Sequence, residues 1–306
     1  MSSTCDAVLV LPDVADETRP AVGGNIDWVG MERMQMPIFF DGGDGDIQRA
    51  RAEVDACVNL VGQRQRGIHM SRLYLLTDRH LGTRAVDATL LESLLRAFLE
   101  SHRGISDRAR IRIRFEQLVR RRSLRSNHLG WRAYPVMIEA LLHGDRFHLE
   151  FNTEVTYSST CPASAALSRQ LIQQEFARKF DTAERMDRDA VLDWLGSEEG
   201  IVATPHAQRS RARLRVRVAD DTSFNLIALL DRVEASLQTA VLAAVKREDE
   251  QAFALANGAN PMFCEDAVRR IQRVLDADPG IADFHIGVEH HESLHPHDAV
   301  AYAVKP

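Results

Sequence analysis

The sequence has little of what marks a secreted, membrane-spanning or disulfide-rich protein. It has only four cysteines, and no two stand in a CxxC spacing, so neither a disulfide framework nor a structural zinc knuckle is indicated. Uninterrupted apolar runs of about 18 residues, the length of a membrane-spanning helix, do not occur. The amino-terminal residues also lack a basic segment followed by a long apolar stretch. We therefore expect a cytoplasmic protein that does not insert into a membrane.

Excess positive charge is absent as well. The formal net charge is -6 at pH 7, which argues against nucleic acid as a partner because nucleic-acid-binding domains are usually net basic. A small anionic substrate stays open, since it needs only a local basic pocket. Arginine is concentrated in the segments 64–72, 103–125 and 209–217, which are the candidates for such a pocket.

The apolar pattern predicts strands and helices in an order typical of an α+β protein. Because the first 50 residues are broken by prolines and by the run DGGDGD, we expect them to be extended, without long regular elements. An apolar run follows at 54–61. The predicted strands are 73–77, 110–121, 134–155, 209–218 and 283–289, and the predicted helices are 88–102, 163–179, 187–195, 223–237, 248–257 and 264–277. Strands and helices do not alternate regularly, and no GxGxxG or GxxxxGK[ST] phosphate loop is present.

Two segments alternate between apolar and charged residues with the period of a strand. In FHLEFNTEV (147–155) the polar face is acidic, whereas in RSRARLRVRV (209–218) it consists of arginines. We expect the two faces to complement each other across a sheet. The arginine face is open to two interpretations: a solvated outer face of a sheet, or the wet interior of a barrel.

Cys161 stands where a predicted strand ends and a predicted helix begins. Pro162 suits the first helical position, and good helix formers follow it. A thiol at a helix amino terminus tends toward thiolate, the form that binds metals or attacks carbon. The alternative is an inert, buried cysteine.

Histidines and carboxylates supply further candidates. His206 precedes the arginine-rich strand, and five histidines lie between residues 285 and 297, a density that suggests metal binding or proton transfer. Acidic residues cluster at 248–250 and 265–266. The alternatives are exposed polar histidines and ordinary carboxylates in the first turns of helices.

Six ordered blocks together resemble the signature segments of type IB GTP cyclohydrolases. The blocks are GQRQRGIHMSRLY, YSSTCPASAALSRQ, ATPHAQRS, VKREDEQAF, NPMFCEDAVRRI and HHESLHPHDAVAYA, and they span residues 62 to 303. The segment LPDVADETRP also resembles the amino-terminal part of the family. The resemblance therefore covers nearly the whole chain.

The resemblance implies an α+β tunnelling fold made of two fused ββααββ-like modules. In this fold antiparallel sheets from several subunits close an oligomeric barrel with helices outside, here expected to be a homotetramer, which would place the arginine face in the barrel interior. We expect an extended segment at 1–50, a first half at 51–160, and a second half at 161–306. The second half would carry a helical insertion around 178–200.

The resemblance also implies a site. Cys161, His206, Glu250 and His295 match the metal ligands of the family, and Glu265 matches the carboxylate that grips the guanine base through its N–H groups. Cys161, His206, Glu265 and His295 are therefore the expected catalytic residues. The metal would be zinc, manganese or ferrous iron. The sequence departs from many relatives at Ala163, where they have a second cysteine.

The implied reaction is the metal-dependent conversion of GTP and water to 7,8-dihydroneopterin triphosphate and formate, the first step of folate and pterin biosynthesis. A histidine such as His291 or His297 would move protons. We expect the triphosphate to be bound by a set of basic residues in the signature blocks: Arg64, Arg66, His69, Arg72, Arg209 and Lys246. One alternative is a nitrile reductase, or another purine- or pterin-binding protein of the same fold, with Cys161 as nucleophile. The other is a nucleotide or metal binder that keeps the pocket without catalysis.

Overall fold

The computed structural model describes residues 15, 19–43, 45–62, 65–181, 185–219 and 225–306. The strands are β1 (Ile26–Asp41), β2 (Ile47–Leu60), β3 (Arg108–Arg122), β4 (Leu129–His143), β5 (Arg146–Thr160), β6 (Ala207–Val218), β7 (Ile281–His290) and β8 (Ala299–Val304). The helices are α1 (Met70–Leu81), α2 (Ala88–Ser101), α3 (Pro162–Lys179), α4 (Arg188–Leu195), α5 (Leu226–Leu237), α6 (Arg247–Ala259) and α7 (Cys264–Asp276).

The strands are hydrogen-bonded in chain order, β1 to β8, in one eight-stranded sheet. The pairs β1–β2, β2–β3, β6–β7 and β7–β8 are antiparallel, so the α+β class is confirmed. In the described part of the chain, the helices are too short or too polar to cross a membrane.

The chain forms two compact units, with Met1–Glu116 and Met137–Glu150 in the first and Gln117–Val136 and Phe151–Pro306 in the second. The strands β3, β4 and β5 each run through both units. The boundary between the two compact units therefore falls within strands, because a long strand supplies side chains to both cores.

In the first unit, α1 and α2 contribute leucines to a buried core. Leu73, Thr77 and Leu81 are buried at four-residue spacing, which is the period of one helix face. The predicted strand at 73–77 is therefore wrong, since a short apolar run does not distinguish a strand from a buried helix segment. The predicted helix at 88–102 is confirmed as α2, which Asp87 caps by accepting a hydrogen bond from the main-chain N–H of Leu90 at 2.6 Å.

In the second unit, one face of β6 packs with α5 and α7. Ala212, Leu214 and Val216 are buried, and the arginines between them are exposed or partly exposed, as the alternation predicts. Arg211 and Arg213 form ion pairs with Glu154 of β5, at 3.3 and 3.5 Å. The predicted complementarity of the acidic and basic faces is thereby confirmed.

The sequence-based boundaries of three elements need correction. The strand β1 occupies residues 26–41, where only an extended segment is expected, because β2 pairs with it along most of its length. The single strand expected at 134–155 is instead β4 and β5, which turn at Gly144 with φ +58°. The strand β8 has no counterpart among the expected strands.

Helices α3 and α4 follow Cys161 and include the region of the expected insertion. Phe176 and Phe180 of α3 pack against Trp194 of α4, with ring centroids 5.6 and 5.8 Å from the indole. Packing of these two rings against the buried Trp194 thus stabilises this helical segment.

Candidate active site

Cys161 is the residue before the first turn of α3, as predicted. Its sulfur accepts a hydrogen bond from the main-chain N–H of Ser164 at 3.5 Å, and Pro162 occupies the first helical position. The partial positive charge of a helix amino terminus suits a sulfur that carries negative charge. The side chain is partly exposed, so a ligand can reach it.

His206 lies directly beside this helix start. The main-chain N–H of Cys161 donates to the carbonyl oxygen of His206 at 3.3 Å. In return, the main-chain N–H of His206 donates to Oγ of Ser164 at 3.1 Å. Two signature blocks that are far apart in the chain are therefore joined by hydrogen bonds.

The imidazole of His206 makes contacts that the sequence analysis missed. Its Nδ1 is 3.0 Å from Oε1 of Gln208, and Nε2 of Gln208 donates to Oε1 of Glu292 at 3.4 Å. The second carboxylate oxygen of Glu292 is 3.8 Å from Nδ1 of His206. The alternation along β6 could have indicated Gln208, because it puts this residue on the buried face of the strand. A polar amide on a buried face needs hydrogen-bond partners.

The segment after β7 carries most of the clustered histidines. Asp298 accepts hydrogen bonds from Nδ1 of His291 at 3.1 Å and from the main-chain N–H of Glu292 at 3.2 Å. His295 and His297 are exposed and stack on each other, with ring centroids 5.1 Å apart. Glu292 of this segment thus contacts His206, whereas His295 contacts His297.

Glu250 and Lys246 lie at the start of α6, and both are exposed. Between them Asp249 is fully buried and accepts hydrogen bonds from the main-chain N–H groups of Arg125, Ser126 and Lys246, at 2.7, 3.0 and 2.8 Å. Burial raises the pKa of Asp249, but hydrogen bonds from the Ser126 hydroxyl and these N–H groups outweigh it and hold the pKa well below its usual range. Asp249 therefore anchors the helix start that carries Glu250.

Glu265 lies in the first turn of α7 and is exposed. The hydrogen bond from its own main-chain N–H, and a second from the Cys264 thiol at 3.3 Å, lower the pKa of its carboxyl group. Burial, together with this carboxylate, raises the pKa of the Cys264 thiol to about 11. Glu265 is thus an ionised acceptor. Its segment is tied to the residue before Cys161, since the N–H of Met262 donates to the carbonyl of Thr160 at 3.0 Å.

The expected triphosphate ligands fall in both units. Arg66, His69 and Arg72 belong to the first unit, where Arg72 donates to the carbonyl of Ser101 at 2.8 Å. Arg209 and Lys246 belong to the second, and both are exposed. Arg64 lies outside the described residues.

The expected metal ligands are brought together only in part. Cys161 and His206 are neighbours, but in the parts of the chain that the structure describes, no three His, Cys, Asp or Glu side chains are grouped to hold a metal ion. The donor chemistry of the pair fits a divalent ion, because thiolate and imidazole are the ligands that zinc and similar metals prefer.

Comparison of the fold finds a solved structure of similar architecture. The crystal structure of uricase from Arthrobacter globiformis matches with a TM-score of 0.51 at 11% identity, over 93% of this chain and 94% of that one. At this low identity the likeness concerns the fold alone.

Sequence comparison is more specific. The family described as type I GTP cyclohydrolase FolE2 matches residues 11–301. GTP cyclohydrolase FolE2 of Bdellovibrio bacteriovorus is 48% identical over 295 residues, covering 96% of both chains. The protein of that name from Pseudomonas putida is 48% identical over 294 residues, covering 96% of this chain and 95% of the relative. The match agrees with the ordered signature blocks, and the chain belongs to the type I GTP cyclohydrolase FolE2 family.

Proposed function

We propose that this chain converts GTP and water to 7,8-dihydroneopterin triphosphate and formate, the first step of tetrahydrofolate biosynthesis, at a metal site built on Cys161 and His206. Membership of the FolE2 family carries the assignment of the reaction. The hydrogen bonds that join Cys161, Ser164 and His206 support the assignment of the site.

The metal belongs to this proposal. When bound, zinc, manganese or ferrous iron lowers the pKa of a water molecule and polarises the purine. The proposed ligands are Cys161, His206, Glu250 and His295. The hydrogen bonds that join Cys161, Ser164 and His206 support the first two ligands. The signature blocks support the other two.

The remaining residues bind the base and move protons. Glu265 accepts hydrogen bonds from guanine N–H groups, a role that its ionised and exposed carboxylate supports. His291 moves the proton: Asp298 holds its Nδ1, while its Nε2 is buried and without a hydrogen-bond partner in the described part of the chain. Basic residues bind the triphosphate, namely Arg64, Arg66, His69, Arg72, Arg209 and Lys246.

The finer assignment to type IB, with a tunnelling fold and a homotetramer, is also part of the proposal. The exposed arginines of β6 suit a wet barrel interior. The edge strand β8 exposes three large side chains, with Val300 49%, Tyr302 72% and Val304 54% exposed. An exposed apolar edge strand is a surface on which a second copy can pair.

The test is turnover of GTP by the purified protein, measured as formate and as the fluorescent pterin that forms after oxidation. The protein is assayed as isolated, after chelation, and after return of zinc, manganese or ferrous iron singly. We expect chelation to abolish turnover and at least one ion to restore it. Absence of turnover with every ion, or oxidation of NADPH with a deazaguanine nitrile, would overturn the assignment.

A further inference from the structure

We infer that Gln208 is a positioning residue that fixes the tautomer of His206, leaving Nε2 of that imidazole unprotonated and able to bind a metal ion. The inference rests on the proposed role of His206 as a ligand. It concerns a residue outside the proposed ligand set.

The register of the sheet places Gln208 against Glu292. Strands β6 and β7 pair so that Ser210 is opposite His290 and Arg211 is opposite Glu289. Continued for two residues past Ser210, this register brings Gln208 opposite Glu292. The observed hydrogen bond from Nε2 of Gln208 to Oε1 of Glu292, at 3.4 Å, agrees with that placement.

The direction of this hydrogen bond determines the orientation of the amide. An ionised carboxylate only accepts hydrogen bonds, so Glu292 requires the NH₂ group of Gln208 to face it. The carbonyl oxygen of the same amide must then face the other way, toward His206. Because Gln208 is only 8% exposed, an amide turned to the opposite orientation would have few water molecules to satisfy it.

The orientation of the amide in turn determines the proton on His206. An amide oxygen only accepts, so Nδ1 of His206, at 3.0 Å, must be the donor. A neutral imidazole carries one ring proton, and the proton on Nδ1 leaves a lone pair on Nε2. The carboxylate of Glu292, 3.8 Å from Nδ1, favours the same proton position.

Main-chain hydrogen bonds hold both ends of this arrangement in place. The N–H of Glu292 donates to Asp298 at 3.2 Å, and the N–H of His206 donates to Ser164 at 3.1 Å. The backbone that carries the imidazole and the carboxylate is therefore held in place. Loss of such a partner behind a metal-binding histidine typically weakens metal affinity by about 10- to 100-fold.

The experiment uses metal-free full-length protein labelled with ¹⁵N-histidine, so that it does not depend on turnover. In the wild type we expect Nδ1 of His206 to be protonated and Nε2 to be unprotonated. Gln208→Met has similar length but no amide, and it should shift the ring toward the Nε2-protonated tautomer. It should also weaken the binding of Zn²⁺, measured by titration against a chelator, by at least about tenfold.

Gln173→Met is the matched control, since Gln173 is exposed on α3 and should leave both readouts unchanged. If Gln208→Met does not fold, Glu292→Gln replaces it: an amide there can donate as well as accept, so the orientation of Gln208 is no longer imposed. That variant should give a mixture of His206 tautomers.

Two results would overturn the inference: a wild-type His206 protonated on Nε2, or substitutions that leave both the tautomer and the Zn²⁺ affinity unchanged. Failure of the proposed function is a separate result. A wild-type protein that turns over no GTP with any ion refutes the enzyme assignment, while the tautomer of metal-free His206 still decides the role of Gln208.

Discussion

The main-chain N–H of Cys161 donates to the carbonyl oxygen of His206 at 3.3 Å, although α3 and α4 separate the two residues in the chain. This hydrogen bond joins the backbone at the start of α3 to the residue that precedes β6. Helices inserted between these residues leave their juxtaposition intact, because the contact is made by main-chain atoms where β5 ends and β6 begins.

Cys161→Ser should nearly abolish turnover of GTP while leaving fold and assembly intact. Serine is close in size and keeps a polar group at the helix start, but an alcohol rarely ionises and is a much poorer ligand for zinc-like metals. Metal content and turnover per folded molecule are the measurements.

The matched control for this substitution is Cys57→Ser, since Cys57 is buried with only 4% exposure in the first unit. It should lower the free energy of unfolding by about 1 to 2 kcal/mol and leave turnover per folded molecule unchanged. If the Cys161→Ser protein bound metal stoichiometrically and turned over GTP at a near-normal rate, the assignment of Cys161 as a metal ligand would be wrong.

Glu265→Gln should keep the metal but lose GTP binding. The amide presents N–H groups toward the N–H donors of guanine, a mismatch that costs about 1 to 3 kcal/mol, so KM should rise at least about tenfold. Steady-state kinetics measures KM for GTP, and metal analysis measures the metal content of the variant. Glu248→Gln, an exposed change in the first turn of α6, is the control. An unchanged KM in Glu265→Gln would show that the guanine contact lies elsewhere.

Tyr302→Asp should break the oligomer. Tyr302 is 72% exposed on the edge strand β8. A charge there opposes pairing with another copy, as charged side chains do on natural edge strands. Light scattering should show a tetramer for the wild type and smaller species for the variant. Asp145→Asn on an exposed turn is the control. An active wild-type monomer would contradict the proposal of a barrel shared between subunits.

His290 should make stability depend on pH below neutrality. Burial lowers the pKa of His290 from the ordinary histidine value of 6.5 to about 4, and its Nε2 is hydrogen-bonded to the hydroxyl of Tyr157 at 2.8 Å. Below pH 6.5 the unfolded chain binds a proton that the folded chain does not, so stability is complete above pH 6.5 and declines toward pH 4.

The full decline corresponds to about 3 kcal/mol at 1.36 kcal/mol for each pKa unit. Urea unfolding at fixed protein concentration between pH 7 and 4 measures it. His290→Gln should flatten the profile, while His148→Gln, an exposed change, should not. Equal slopes for wild type and His290→Gln would show that other groups cause the pH dependence.

Features that depend on local patterns could be predicted from the amino-acid sequence. The alternation of residues 209–218 fixed which face of β6 is buried, and Pro162 with the helix formers after it fixed the start of α3. The ordered signature blocks fixed the family. Each of these signals lies within a short window of residues, where periodicity and backbone preference act directly.

Contacts between distant residues, in contrast, depend on the tertiary structure. The register of β6 and β7 brings Gln208 to Glu292, and the buried spacing of Leu73 and Leu81 makes α1 a helix where the local pattern predicted a strand. The physical reason is the same in both cases. A buried residue adopts the structure that satisfies its neighbours in space, and those neighbours come from elements far away in the chain.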